Sequence, residues 1–341
     1  MFQDLLKDAL SAELPTSVDR LQDAIERACQ GIQRMVERGY TRWLVMYSGG
    51  KDSTTALVLC AEAAKAHGFT LEVLYCNTGI EIPTLRDFAR SFLDWLRAAE
   101  RAQITELRPA VEDSFWVQLI GKGYPPPHQH FRWCTRRLKI KPVEDYLRNY
   151  SSAERPLIVT GVRLGESDAR DLRLQLSCAR GGECGQGVWY EESQRLQLGY
   201  FSPILVWREC EVWDFLNFIA PAWGYPTRGL FEVYQGRETR FGCWTCSVIS
   251  QDRTMQRIVQ KREDLAPLLE FRNWLVEFAK QPQNRVLKPN GDWGRLTLKA
   301  RFEILRRLRA VEQTLGEQIL SSIEYHRICQ LWESPHYADT Y

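Results

Sequence analysis

The stretch Ser48-Gly49-Gly50-Lys51-Asp52-Ser53 follows the apolar run Trp43–Tyr47 and precedes a helical pattern. A strand that breaks into glycines and reopens as a helix turns backbone N–H groups toward one point, and such a point binds anions, phosphate chains above all. Gly49 and Gly50 allow dihedrals closed to other residues and let the backbone come close to a ligand. Lys51 adds a positive charge, and Ser48 and Ser53 add hydroxyl donors. Asp52 is the odd member, because a carboxylate beside phosphates is costly unless it orders a metal or the loop itself. The spacing is not that of the G-x-x-x-x-G-K-[ST] loop. Lys51 and Asp52 are the candidate catalytic residues.

Four further segments carry chemistry. Cys76-Asn77-Thr78-Gly79-Ile80-Glu81-Ile82-Pro83-Thr84 ends an apolar run in a turn and restarts a helix with Pro83 in its first turn; Asn77 and Thr78 either bind a base or ribose or form a plain strand–turn–helix corner. Arg132–Pro142 holds five cations in ten residues, which suits an anionic ligand or a solvated face, and places Cys134 among charges that favour thiolate. Thr160-Gly161-Val162-Arg163-Leu164-Gly165-Glu166-Ser167, with Arg170 beyond it, sets a glycine and an arginine at a strand end; Arg163 either reaches a phosphate or pairs with Glu166. Gly242-Cys243-Trp244-Thr245-Cys246 has metal-ligand spacing, but one C-x-x-C is half a site. Cys134, Cys178 and Cys184 are candidates to complete four thiolates, a set suited to an iron–sulfur cluster or zinc. Cys29, Cys60 and Cys76 fall at apolar periodic positions and read as core. His128 and His130 flank a proline loop, where they bind metal, shuttle protons or sit exposed.

These segments need a frame that holds strand ends together. Residues 1–40 read as amphipathic helix, with Val18, Leu21, Ile25, Cys29, Ile32 and Val36 at three- and four-residue steps. Beyond them, candidate strands Trp43–Tyr47, Leu71–Cys76, Ile104–Leu107, Leu157–Val162 and Tyr200–Leu205 alternate with helical patterns at Thr54–His67, Pro83–Glu100 and Lys139–Tyr150. Apolar strands separated by helices predict an α/β fold with a mostly parallel, doubly wound sheet. Ligands in such folds sit at the carboxyl ends of strands. Gly121–His130 and Ser177–Gly187 read as loops, and beyond Ser250 the patterns Asp252–Val259, Leu265–Lys280, Leu296–Glu312 and Leu315–Trp332 predict an almost wholly helical appendage. The expected division is 1–40 helical, 41–250 nucleotide-binding α/β, and 251–341 helical. A net charge of +2 leaves any nucleic-acid partner to local basic patches or other subunits. No apolar run approaches membrane-spanning length and residues 1–30 lack a signal-peptide pattern, so a cytoplasmic protein with ten thiol or metal-ligand cysteines is expected.

Taken in order, Ser48–Ser53, Asn77–Thr84, Arg132–Pro142, Gly161–Ser167, Pro203–Leu216 and Gly224–Cys246 resemble the phosphoadenosine phosphosulfate (PAPS) reductase-like branch of the PP-loop ATP pyrophosphatases, whose fold is adenine nucleotide alpha hydrolase-like. Leu265–Phe278 and Gly294–Leu308 look like the tail of the DndC/SspD-type DNA phosphorothioation proteins. The resemblance implies that ATP, with Mg²⁺, lays its phosphates on Ser48–Ser53 and is cut between the α- and β-phosphates. Ser48, Gly49, Gly50, Lys51, Asp52, Ser53, Asn77, Thr78, Gly161 and Arg163 would line that nucleotide, Lys51 neutralising phosphate charge and Asp52 positioning Mg²⁺ or the loop. Adenylation would turn an acceptor oxygen, that of a DNA backbone phosphate, into a leaving group which sulfur replaces. A separate cysteine desulfurase would supply the sulfur, other phosphorothioation subunits would assist, and DNA would be met directly or through them. A 4Fe-4S cluster, or zinc, would sit on Cys134, Cys243 and Cys246 with Cys178 or Cys184. Two rivals are a PAPS or adenylylsulfate reductase and a non-catalytic nucleotide-binding scaffold bridging a desulfurase to DNA-acting subunits. The reductase rival lacks its E-C-G-L-H-type cysteine motif here, since Tyr325–Tyr341 offers only Cys329; the adjacent cysteines of cluster-bearing adenylylsulfate reductases are Trp133-Cys134, and Tyr234–Phe241 holds no cysteine ahead of the C-x-x-C.

Overall fold

The computed structural model describes residues 18–150, 156–166, 171–172, 187–193, 198–234, 242–334 and 337. In chain order the elements are α1 (Val18–Glu37), β1 (Arg42–Tyr47), α2 (Lys51–His67), β2 (Thr70–Cys76), α3 (Pro83–Ala98) and β3 (Gln103–Leu107), then α4 (Lys141–Leu147), β4 (Leu157–Val159), β5 (Trp189–Ser193) and β6 (Leu198–Ser202). There follow α5 (Glu209–Asp214), α6 (Gly229–Tyr234), α7 (Arg253–Lys261), α8 (Ala266–Phe278), β7 (Arg285–Leu287), β8 (Trp293–Leu296), α9 (Leu298–Leu315) and α10 (Ser322–Glu333).

Two compact units share these elements. The first combines the described parts of Met1–Tyr75, Thr84–Glu106 and Arg148–Gly236; the second combines Cys76–Pro83, Leu107–Leu147 and the described parts of Arg237–Tyr341. Both interleave along the chain, so neither follows the linear segments 1–40, 41–250 and 251–341.

The sheet of the first unit runs in the order β3-β2-β1-β4-β6-β5. β1 pairs in parallel with β2 and β4, β4 pairs in parallel with β6, and β5 closes the edge antiparallel to β6. The expected doubly wound α/β class is what the chain adopts. Trp43, Leu44, Val45, Val73, Leu74, Leu157, Val159 and Phe201 are buried, so the central strands are apolar on both faces, as a sheet covered on both sides requires. The strand order reverses between β1 and β4, a switch point where two neighbouring strand ends leave a crevice. The expected strand Leu157–Val162 stops at Val159, and Tyr200–Leu205 is displaced to Leu198–Ser202. β5 carries Glu191 and Glu192, a mixed pattern that gave no strand signal.

In the second unit the helices α7 to α10 bear out the helical expectation in part. The ribbon β7–β8 corrects it: Arg285↔Leu296 and Leu287↔Trp293 pair antiparallel where helix was expected at Leu296 and no strand before it. Asn290-Gly291 supplies the turn, with Gly291 at φ 84°, and Thr297 caps α9 by accepting from the Ala300 N–H at 3.2 Å. Among the described residues no helix is long and apolar enough to cross a membrane.

Candidate functional site

The first site lies at the β1–β4 switch point of the first unit. α2 begins at Lys51, so Lys51, Asp52 and Ser53 are its first turn rather than part of the loop, three residues ahead of the Thr54 start expected from periodicity. Gly50 caps the helix without offering a side-chain acceptor. Gly49 takes φ 77°, and a Cβ there would stand 2.8 Å from the Ala89 Cβ, so both backbone and packing demand glycine. Ser48 and Ser53 hydroxyls lie 3.1 Å apart, and the Ser53 hydroxyl donates to the Gly50 carbonyl at 2.9 Å. The two serines therefore brace the loop and leave it shaped before any ligand arrives.

β4 hands over to Gly161 beside this turn. A Cβ on Gly161 would sit 2.6 Å from the carbonyl carbon and oxygen of Asp52 and 2.7 Å from the Ser53 nitrogen, all main-chain atoms. Glycine is what lets the two strand ends touch. Two residues on, Arg163 is 6% exposed and its guanidinium pairs with the Asp52 carboxylate. The Lys51 ammonium pairs with the other Asp52 oxygen at 2.9 Å and stands 3.7 Å from Glu209. The Glu166 carboxylate accepts the Arg163 backbone N–H at 3.2 Å. Arg163 also donates to the Trp207 carbonyl at 3.2 Å, which fixes the guanidinium from a second side.

Two buried cations therefore share one carboxylate, and a second carboxylate, 52% exposed on Glu209, faces Lys51 from the rim. Such a cluster favours an incoming anion that can take over from Glu209. Asp52 serves here to align Lys51 with Arg163. Tyr234 is the residue sequence reasoning missed: its hydroxyl accepts the Lys51 N–H at 3.1 Å, and burial pushes the phenol up, so it stays a neutral acceptor. No motif marks it; only the fold brings position 234 to position 51.

The second unit holds the other predicted residues. Asn77 and Thr78 are buried and build a tight turn: the Asn77 carbonyl oxygen accepts the Gly79 N–H at 3.0 Å, and Glu81 accepts the Thr78 N–H and hydroxyl at 2.7 and 2.6 Å. The other Glu81 oxygen is buried without a partner among the described residues. Ile80 and Glu81 join the C-x-x-C segment through a Glu81↔Cys243 bridge and a 3.1 Å hydrogen bond from the Trp244 N–H to the Ile80 carbonyl. Arg272 of α8, 2% exposed, donates to the Cys246 carbonyl at 2.9 Å and to Ser250 and Ile249. The loop is thus fixed by backbone bonds on both sides.

Cys134, Cys243 and Cys246 lie within electrostatic reach of one another, while Cys178 and Cys184 lie outside the described residues. Burial pushes the Cys243 thiol up to about 12 despite the Lys139 cation, and Cys76 up to about 11. The cations expected to turn Cys134 into a thiolate lose to burial, which raises it as well. Cys60 is core as expected, whereas Cys29 and Cys76 are only half-buried. Among the described residues no group of three or more His, Cys, Asp or Glu side chains takes a metal-holding arrangement.

The basic run is largely spent inside the unit. Arg137 and Lys141 both pair with Asp113, whose carboxylate is 4% exposed, and Arg136 pairs with Glu144 at 3.4 Å. Three of its five cations therefore hold the fold rather than a ligand. His128 and His130 form a turn in which the His128 and Phe131 backbones pair.

Comparison with known proteins agrees with this frame. In Methanocaldococcus jannaschii the uncharacterized protein MJ0973 is 28% identical over 206 residues, covering 59% of this chain and 40% of that protein. The uncharacterized protein MJ0066 of the same organism is 26% identical over 243 residues, covering 70% and 42%. The chain thus spans about two fifths of the length of the curated relatives it matches. The phosphate-complexed phosphoadenylyl-sulfate reductase of Candida auris superposes with a TM-score of 0.40 at 12% identity, covering 63% of this chain and 87% of that one. The model of the phosphoadenosine phosphosulfate reductase domain matches residues 42–248, more than half the chain and both strand ends that build the cation cluster. The chain belongs to the phosphoadenosine phosphosulfate reductase domain family.

Proposed function

We propose that this nucleotide-binding domain is an ATP pyrophosphatase that adenylates a DNA backbone phosphate for sulfur incorporation in a phosphorothioation system. The observation that carries the reading is the pair of buried cations, Lys51 and Arg163, clamped by Asp52 at a glycine-lined helix N-terminus. A phosphate chain arriving there displaces Glu209 from Lys51, and the ammonium then faces the charge that builds up on departing pyrophosphate. Gly49 and Gly50 let the backbone approach, and Arg163, held by Trp207, need not reorganise as the charge moves. Catalysis on this plan is orientation plus fixed positive charge.

In the reaction, an acceptor phosphate oxygen bonds to the α-phosphorus and the α–β bridging bond breaks, releasing pyrophosphate. The persulfide sulfur of a partner desulfurase then attacks the activated phosphorus and displaces AMP, and a thiol reductant cleaves the resulting P–S–S linkage to the phosphorothioate and a disulfide. Mg²⁺, when bound with ATP, would neutralise phosphate charge.

The test is incubation of the protein with ATP, Mg²⁺ and DNA, with separation of the products. AMP and pyrophosphate are expected, and Lys51→Ala is expected to lose them. Release of ADP and orthophosphate alone would overturn the reading.

A further inference from the structure

We propose that the β7–β8 ribbon and the outer face of α9 form a docking surface for single-stranded DNA. Between residues 280 and 309 the chain places nine Lys and Arg against two Asp and Glu, although its net charge is only +2. Some of these cations are structural: Arg301 is buried and donates to the Gly121 carbonyl at 2.9 Å, and Arg285 donates to the Gly294 carbonyl at 2.8 Å. Lys280 and Arg309 pair with Glu277 and Glu312 just outside that span, and the remaining surplus is on the surface. Arg306 and Arg307 share the single carboxylate of Glu303, which their hydrogen bonds and charge hold down at about 2, so one unit of positive charge is left over. Lys288 and Lys299 make no ion pair among the described residues.

Apolar groups stand among these charges. Leu287 and Trp293 face each other across the ribbon and are 57% and 49% exposed, while Val286 and Gly294 turn inward. On α9, Phe302 is 59% exposed, three residues from Lys299 and four from Arg306, which puts ring and cations on one stripe. Cations interleaved with open aromatic faces match a strand whose phosphates and unpaired bases are both available. A duplex hides the faces of its bases, and an uncharged protein partner would leave the lysines and arginines buried without counter-charge. DNA rather than RNA is named because the inference rests on the proposed function for that choice.

Fluorescence anisotropy of the full chain with a labelled single-stranded oligonucleotide tests it, across a salt series and without ATP. Trp293→Ala is expected to weaken binding about tenfold and Trp293→Phe to restore it, as loss and return of one stacked base would do. Lys288→Gln with Lys299→Gln is expected to reduce the slope of log affinity against log salt by about 1.4, since each single-strand phosphate contact contributes roughly 0.7. The proposal is overturned if the chain does not bind, if these variants match the parent, or if duplex DNA or polyglutamate competes as well as the single strand. Pyrophosphate release, measured separately, tells failure of this surface from failure of the nucleotide reading.

Discussion

Asp52→Asn isolates what the carboxylate does between its two cations. The side chains of Lys51, Asp52 and Arg163 are only 10%, 15% and 7% exposed, so water does little to compensate either cation once the charge is gone. Breaking a buried pair by neutralising one partner costs roughly 3–5 kcal/mol. Glu209 still faces Lys51 at 3.7 Å, and the asparagine oxygen still accepts one hydrogen bond, which brings the expected loss to about 2–3 kcal/mol. Urea unfolding at neutral pH reads that loss as a shift in midpoint with the slope unchanged. The same substitution leaves an extra positive charge in the crevice, so pyrophosphate should bind the variant about tenfold more tightly, about 1.4 kcal/mol, which lies between the roughly 1 kcal/mol of two charges 4 Å apart in water and the roughly 4 kcal/mol of the same pair near a protein surface. Saturating pyrophosphate, at about a hundred times its dissociation constant, returns about 2.7 kcal/mol of stability. Tighter binding with slower turnover is the expected signature, because Lys51 and Arg163 keep their charge and lose their alignment. Parent-like stability together with unchanged pyrophosphate affinity would refute the reasoning.

Gly161→Ala sets a methyl against three main-chain atoms of Asp52 and Ser53, so about 2–3 kcal/mol of overpacking is expected, and calorimetry with nucleotide titration should show stability and affinity falling together. Asp113→Asn should cost about 1–2 kcal/mol, below the fully buried value because Arg137 and Lys141 are 32% and 44% exposed. Burial raises the Asp113 carboxyl, but hydrogen bonds from Lys141 and Arg137 outweigh it and hold the group below the ordinary carboxylate range. A depressed folded-state pKa gives stability that is present above the unfolded value near 4 and is lost as pH falls through the folded one, so the parent–variant gap in melting temperature should close on acidification and stay constant above about pH 5.

Much of the frame was legible along the chain. Trp43–Tyr47 and Leu71–Cys76 announced themselves because a strand covered on both faces must be apolar nearly throughout, Glu72 being the one buried charge in them, and the glycines at 49, 50 and 161 stood where strands end. The ribbon Arg285–Leu296 was missed for the opposite reason. It is short, one of its faces is exposed, and its last residue, Leu296, falls in step with the helical periodicity of α9. β5 escaped for want of any apolar alternation beside Glu191 and Glu192.

What the sequence by itself determined is local: a phosphate-shaped turn at residues 48–53, the alternation of strands and helices that makes a parallel sheet, and the caps and turns that punctuate it. Each follows from the dihedral and burial preferences of a few neighbouring residues. What the tertiary structure decided is pairing. Arg163 meets Asp52 across 111 residues and Tyr234 meets Lys51 across 183, and neither contact leaves a trace in spacing. The basic run suited an anionic ligand or a solvated face, and only packing gives two of its cations to the buried Asp113; burial likewise outweighs the charged neighbours of Cys134 and raises its thiol. Charge can be counted along a chain, but the water it loses and the partner it gains are set only when distant segments pack together.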